Sequence, residues 1–209
     1  MTRAYRRDET VVSSWDDSYQ NTPPWDIGRP QPALVGIVEK SEVKGNRVLD
    51  VGCGTGENAI FLAENGFSVT GLDVSRKALE TAKAKAMQRR VKVDLRVGSA
   101  LAMDFPEGSF DTTIDSGLFH TFTDEDRPEF AAEIARVLRG DGLYFMLCFS
   151  EKEPTSWGGP RRVTEKEIVD TFSPSFKINY IRDALFATRI HNNGGKAYLT
   201  SATRHRHET

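Results

Sequence analysis

The residues whose types and spacing could do chemistry begin at Leu49-Asp50-Val51-Gly52-Cys53-Gly54-Thr55-Gly56. Three alternating glycines let a backbone turn sharply and approach a ligand without side-chain interference, although tight strand-to-helix turns also use glycine for geometry alone. Three neighbours sharpen the reading. Glu57 stands where a dinucleotide fingerprint wants its third glycine, and a carboxylate at a helix N-terminus would repel a pyrophosphate. Asp73 ends the next apolar run, where a carboxylate can accept hydrogen bonds from both hydroxyls of a ribose. Asp50 precedes the loop and has two readings, anchoring a cationic amine or orienting the loop. An adenosine that carries an amino acid instead of phosphates satisfies all three. A second set lies at Asp115-Ser116-Gly117-Leu118-Phe119-His120. Histidine titrates near pH 6.5, so His120 could serve as general base for a hydroxyl or amine. The alternative is that it packs beneath a lid and hydrogen-bonds the backbone.

The elements that must position these residues follow from pattern. Val48-Leu49-Asp50-Val51 reads as a buried strand closed by the glycine turn, and Ala59, Ile60, Leu62 and Ala63 give the next helix its apolar stripe before Gly66. Phe67 to Leu72 is a second strand, 75 to about 90 a helix rich in Ala, Lys and Glu, and Lys92 to Val97 a third strand. Phe110 to Asp115 is a fourth strand behind the turn Pro106-Glu107-Gly108-Ser109. Asp124 to Leu138 is an amphipathic helix that exits through Arg139-Gly140-Asp141-Gly142 into the central strand Leu143 to Phe149. Alternation of strand and helix predicts an α/β, Rossmann-like doubly wound, mostly parallel sheet. Phe176 to Ile181 and Lys196 to Thr203, joined across Asn192-Asn193-Gly194-Gly195, predict an antiparallel hairpin at its end. Residues 1 to about 30 read as an irregular arm with one helical turn, and Pro32 opens a helix through Val38-Glu39. The expected organisation is an arm or lid over 1–32, the α/β domain over 33–204 and a flexible tail over 205–209.

Val48 to Gly56 and Gly71-Leu72-Asp73-Val74-Ser75 together resemble the first two motifs of class I S-adenosylmethionine-dependent methyltransferases. The resemblance continues through Phe110-Asp111 to Asp115 and through Arg136-Val137-Leu138-Arg139-Gly140-Asp141-Gly142, covering about 47 to 150 in the family's order and spacing. It implies a seven-stranded sheet and S-adenosyl-L-methionine as cofactor. Gly52 and Gly54 would line its methionine and ribose portion, and Asp73, beside Val74, would hold the ribose hydroxyls. The family often binds the adenine amine with an acidic residue after the third strand. This chain reads Gly98-Ser99-Ala100 there, so Ser99 stands in. Asp115 in this fold orients the cofactor more often than it abstracts a proton.

Thr22-Pro23-Pro24-Trp25-Asp26-Ile27-Gly28-Arg29-Pro30 resembles the segment before the core in thiol, halide and thiopurine methyltransferases and in bacterial enzymes that methylate heterocyclic toxins. In those relatives the arm closes over the cofactor. Trp25 would cover it, with Tyr19 and Trp15 as weaker lid candidates, or Trp25 would only anchor the arm. Trp157-Gly158-Gly159-Pro160 resembles an acceptor-side loop or is plain surface, and Arg161 and Arg162 either meet an anionic acceptor or stay solvated.

Composition narrows the class. The chain has 209 residues, with 28 Lys and Arg against 30 Asp and Glu for a formal charge of −2. Beyond the short Arg3, Arg6, Arg7 cluster no basic patch appears, so nucleic acid is not an expected partner. No run of about 18 apolar residues suggests a membrane span, and two distant cysteines, Cys53 and Cys148, suit reduced thiols in the cytoplasm. No metal is expected, and His205 and His207 read as tail. The expected activity is methyl transfer from S-adenosylmethionine to sulfur, oxygen or nitrogen of a small, largely apolar acceptor, with a thiol or phenol-like heterocycle favoured. Phe119, Phe122 and Trp25 suit an apolar pocket or the core. A macromolecular methyltransferase, a nicotinamide-dependent oxidoreductase and a non-catalytic cofactor-binding module are the alternatives. Glu57 disfavours the oxidoreductase.

Overall fold

The computed structural model describes residues 9–154 and 160–206. Helices α1 (Glu9–Ser18) and α2 (Pro32–Glu39) precede β1 (Arg47–Val51), α3 (Glu57–Glu64), β2 (Ser68–Asp73), α4 (Arg76–Gln88) and β3 (Asp94–Val97). Then come β4 (Phe110–Ser116), a single 3₁₀ turn at Phe119–Thr121, α5 (Asp126–Val137), β5 (Leu138–Phe149), α6 (Glu165–Phe172), β6 (Phe176–Phe186) and β7 (Gly195–Arg204). One seven-stranded sheet runs in the order β3-β2-β1-β4-β5-β7-β6. The first five strands of that order are parallel, while β7 is antiparallel to both β5 and β6, as the alternation and terminal hairpin predict.

The central strands are buried on both faces. Tyr144, Met146 and Cys148 of β5 belong to one apolar cluster with Phe130, Ile134 and Phe172, and the interleaved Phe145, Leu147 and Phe149 join a second with Ile37 and Leu62. The period-two side-chain alternation of a strand sends neighbours to opposite cores, which is why β5 reads as an unbroken hydrophobic run.

Three expectations change. The hairpin strand β6 runs on to Phe186, beyond the expected end at Ile181. The arm holds ten residues of regular helix in α1, not one turn. And β5 begins at Leu138 rather than Leu143, because Arg139-Gly140-Asp141-Gly142 continues beside β4 across a register shift between Phe110 and Thr112. No helix among the described residues is long and apolar enough to cross a membrane.

Candidate active site

Chain order reverses across the sheet between β1 and β4, and ligands of open α/β sheets bind at such a switch point beyond the carboxyl ends of the strands. A cavity of about 1170 Å³ lies there. That exceeds the roughly 300–1,000 Å³ of a pocket for one small ligand, and suits a site for two.

One end is built by the glycine loop. Gly52 and Gly54 have φ of 69° and 52°, in the left-handed region that disfavours side chains. A Cβ on Gly54 would lie 2.7 Å from the Tyr19 hydroxyl, so the arm rests directly on the bare backbone. Asp73 secures the loop from the neighbouring strand: Oδ2 accepts from Gly54 N–H at 2.8 Å and Oδ1 from Ser75 N–H at 2.8 Å. Burial raises the Asp73 pKa against the lowering effect of these bonds. A third amide, Val74 N–H, also bonds to this carboxylate, which keeps acceptor capacity of its two oxygens and lines the cavity with Val74, Ser99 and Ala100. The Ser99 hydroxyl accepts from Leu101 N–H at 3.1 Å.

Asp50 and Asp115 lie beneath this floor and are not among the cavity walls. Asp50 is 1% exposed, accepts from the Ala59 N–H, and its Oδ2 has no partner. Its contact is thus with the first turn of α3, which follows the glycine loop. Burial, then Asp115 and Asp73, push its pKa to about 8. The fully buried Asp115 takes Leu118 N–H at 2.8 Å, Phe119 N–H at 3.1 Å and the Tyr144 hydroxyl at 3.1 Å, folding the turn after β4. Burial raises its pKa to about 7 despite those bonds. This carboxyl shapes the turn from below.

Glu57 lines the cavity, but Lys85 at 2.9 Å and Arg89 at 3.0 Å pair with it. Its charge is balanced, so repulsion of a pyrophosphate is weaker than the sequence suggests. The same Lys85 reaches Thr55, which donates to Asp26 of the arm at 2.8 Å.

The arm packs over this end of the cavity. Asp16 accepts from the Ser75 hydroxyl at 2.6 Å and from Lys77 N–H at 3.2 Å. Trp25 donates to the Tyr19 hydroxyl at 3.1 Å and meets Trp15 and Tyr19 edge-on, with centroids 6.1 and 6.2 Å apart. All three rings line the cavity, with Trp25 still 38% exposed at its rim.

The other end is formed by Leu118, His120, Phe122, Phe149, Phe186 and Ile190. Gly117, with φ 83°, lets the turn after β4 pass the Phe186 ring, which a Cβ would strike at 2.8 Å. His120 is 5% exposed and stacks on Phe149 at 5.1 Å and 19°. Its Nδ1 accepts from Phe149 N–H at 3.2 Å. An amide can only donate, so Nδ1 holds the lone pair and a neutral ring carries its proton on Nε2. Burial, aided by the Arg127 cation, lowers the pKa to about 3. This is the backbone-bonded alternative, and it leaves His120 without the free basic nitrogen that a general base needs.

Sequence reasoning placed the glycine loop, Asp73, Val74, Ser99, Ala100, Trp25 and His120 on one cavity, where they lie. It missed Phe149, whose only signal was that it ends a strand, Phe186, which lies beyond the strand read as ending at Ile181, and the part of Asp16. Arg161 pairs with Asp124 and Glu167, and Arg162 donates to the Glu153 and Pro154 carbonyls, so neither reaches for an acceptor. His205 is held near the Ser173 carbonyl. Trp157-Gly158-Gly159, the Arg3, Arg6, Arg7 cluster and His207 fall outside the described residues. No group of three or more His, Cys, Asp or Glu that could hold a metal occurs among the described residues.

A family model for a methyltransferase domain matches residues 48–142. A 2-heptyl-1-hydroxyquinolin-4(1H)-one methyltransferase of Mycobacteroides abscessus is 34% identical over 174 residues, 82% of this chain and 74% of that protein. The chain belongs to the class I S-adenosylmethionine-dependent methyltransferases. A probable thiol methyltransferase 2 of Arabidopsis thaliana is 30% identical, covering 79% of this chain and 74% of its own. A solved structure concerned with conversion of a disulfide bond into a thioacetal group during echinomycin biosynthesis is 30% identical, with a TM-score of 0.86 over 93% of both chains. This methyltransferase therefore uses S-adenosylmethionine and acts within the small-molecule branch of the family. The left-handed glycines, the Asp73 lone pairs and the aromatic arm make a cradle that fits that cofactor.

Proposed function

We propose that this methyltransferase modifies sulfur, or the oxygen or nitrogen of a phenol-like heterocycle, in a small and largely apolar acceptor. Gly52 and Gly54 line the methionine and ribose, Asp73 takes the ribose hydroxyls, and Val74, Ser99 and Ala100 border the adenine. Trp25 covers the cofactor, and residues 1–32 act as the lid over the α/β domain of 33–204. Asp50 and Asp115 serve from beneath, as supports of the loop and turn. S-adenosylmethionine supplies, when bound, a methyl group already activated on a sulfonium. The protein's task is then to hold the nucleophile in line and exclude water.

The observation that carries this reading is the far end of the cavity, walled by Leu118, Phe122, Phe149, Phe186 and Ile190 around one neutral histidine. A flat, apolar acceptor matches such walls. The hydroxyquinolone, thiol and thioacetal chemistry named for the relatives supports the same class.

The test is calorimetric titration with S-adenosylhomocysteine, with NAD as control, then mass spectrometry of thiols, hydroxyquinolines and amino sugars incubated with S-adenosylmethionine. Micromolar binding of the first ligand alone and methylation of thiols or hydroxyquinolines is expected. Methylation of the amino sugar alone would overturn the acceptor class, and absence of any turnover would leave a binding module.

A further inference from the structure

Of the carboxylates on the cavity wall, Asp16 holds Ser75 and Lys77, Asp26 holds Thr55, Glu57 pairs with Lys85 and Arg89, and Asp73 holds the Gly54, Val74 and Ser75 amides, while Asp104 acts on the Arg96 cation of β3. At the acceptor end the titratable group on the wall is His120. Its basic nitrogen is consumed by the Phe149 amide, and its Nε2–H has no hydrogen-bond partner among the described residues although the ring lines the cavity. Protonating the ring would set N–H against N–H at Nδ1. The charged group acting on it is Arg127 of α5, a cation whose guanidinium lies 4.7 Å from the Phe119 ring centre and pairs with Glu167 of α6. From β5 and β6 it meets the phenyl rings of Phe149 and Phe186.

We propose that His120 is a permanently neutral hydrogen-bond donor to the acceptor, and that the enzyme selects acceptors which lose their own proton to solvent before they bind. This rests on the proposed small-molecule methyl transfer and specifies its substrates. A thiolate or a hydroxy-heterocycle oxyanion offers the lone pair that Nε2–H requires. An alkyl alcohol does not ionise near neutral pH, and His120, its Nδ1 taken by the Phe149 amide, cannot remove its proton. Donation to an anion in a dry, apolar setting is strong, and the same Nε2–H facing a neutral alcohol gains little.

Two measurements test it. In ¹⁵N-histidine spectra of the protein saturated with S-adenosylhomocysteine, the His120 ring should show a protonated Nε2 and bare Nδ1 from about pH 5 to about pH 9. Titration near the ordinary value of about 6.5, or a proton on Nδ1, would overturn the donor. Second, kcat/KM is followed against pH for thiophenols and hydroxyquinolines of graded acidity. Each profile should break at that acceptor's own pKa, and one shared break near pH 6.5 for all would overturn the selection. His120→Phe keeps a ring for the stack and should lower kcat/KM for these acceptors about ten- to hundredfold, with His120→Gln restoring part of it. An unchanged kcat/KM in folded His120→Phe would also overturn it. If S-adenosylhomocysteine fails to bind, the methyl-transfer reading fails, while the spectra of ligand-free protein still decide the tautomer.

Discussion

At the residue scale, three aspartates stand at or near the carboxyl ends of three adjacent strands, and they do not face the same way. Asp73 reaches the cavity while gripping the loop, so Asp73→Ala should weaken S-adenosylhomocysteine binding by about ten- to hundredfold in calorimetry, since hydrogen bonds to a charged group are worth about 1.5–3 kcal/mol. Unchanged affinity would refute the ribose assignment. Asp50 and Asp115 keep their protons in the fold up to about pH 8 and about pH 7. In the unfolded chain an aspartate releases its proton near pH 3.9. Between these values the two folded aspartates hold protons that the unfolded chain releases, outweighing the one proton that His120 takes up on unfolding below about pH 6.5, so stability falls as pH rises. The Tm of ligand-free protein should therefore decline from about pH 5 to about pH 8, and Asp50→Asn should flatten that decline. A steeper decline in the variant would contradict the buried, protonated Asp50. The glycines and Asp73 were legible because their spacing is itself the chemistry. The facing of Asp50 and Asp115 was not, because strands buried on both sides carry no polar alternation to show which side chain meets the cavity. The His120 tautomer was equally hidden, since its partner amide lies 29 residues away.

At the element scale the arm is the instructive case. Its sequence lacks a core-facing apolar stripe, and what α1 gains is polar and aromatic: Asp16 on the start of α4, and Trp15, Tyr19 and Trp25 edge to edge. Period-based reading therefore missed the helix while composition still marked its tryptophans. The segment behind it is stitched to the loop between β6 and β7, with Gln31 exchanging two hydrogen bonds of 2.9 Å with Ala187 and Arg189 N–H reaching Pro24 O at 2.8 Å. These bonds tie the segment before α2 to the loop between β6 and β7, and residues of both line the cavity. Trp25→Ala deletes two edge-to-face pairs, each worth about 0.5–1.5 kcal/mol, and should raise the Kd for S-adenosylhomocysteine about tenfold with faster release in stopped flow. Wild-type release would mean that Trp25 anchors the arm without covering the cofactor.

Across the whole molecule, the sheet order separates the two halves of the task. β1 and β2 deliver the glycine loop and Asp73 at one end, while β4, β5 and β6 bring the His120 turn, Phe149 and Phe186 to the other. Because β7 runs antiparallel between them, β6 is returned parallel to β5 and its carboxyl end lands on the ligand edge of the sheet. The terminal hairpin thus furnishes an acceptor wall in addition to extending the sheet. Alternating strand and helix made the architecture readable, but the wall could not be read, since Phe186 meets Phe149 only through this fold, at 4.9 Å. The separation makes a sharp prediction. Phe186→Leu keeps an apolar side chain at a 3% exposed position, so the domain should fold with a small loss of Tm. It removes an aromatic face worth about 0.5–1.5 kcal/mol and should raise the acceptor KM several-fold, leaving the S-adenosylhomocysteine Kd at the wild-type value. Asp73→Ala should do the reverse, moving the cofactor Kd far more than the acceptor KM. If both variants shift both constants equally, the two ends are not independent, and the stitch between Gln31 and Ala187 is the first contact to cut.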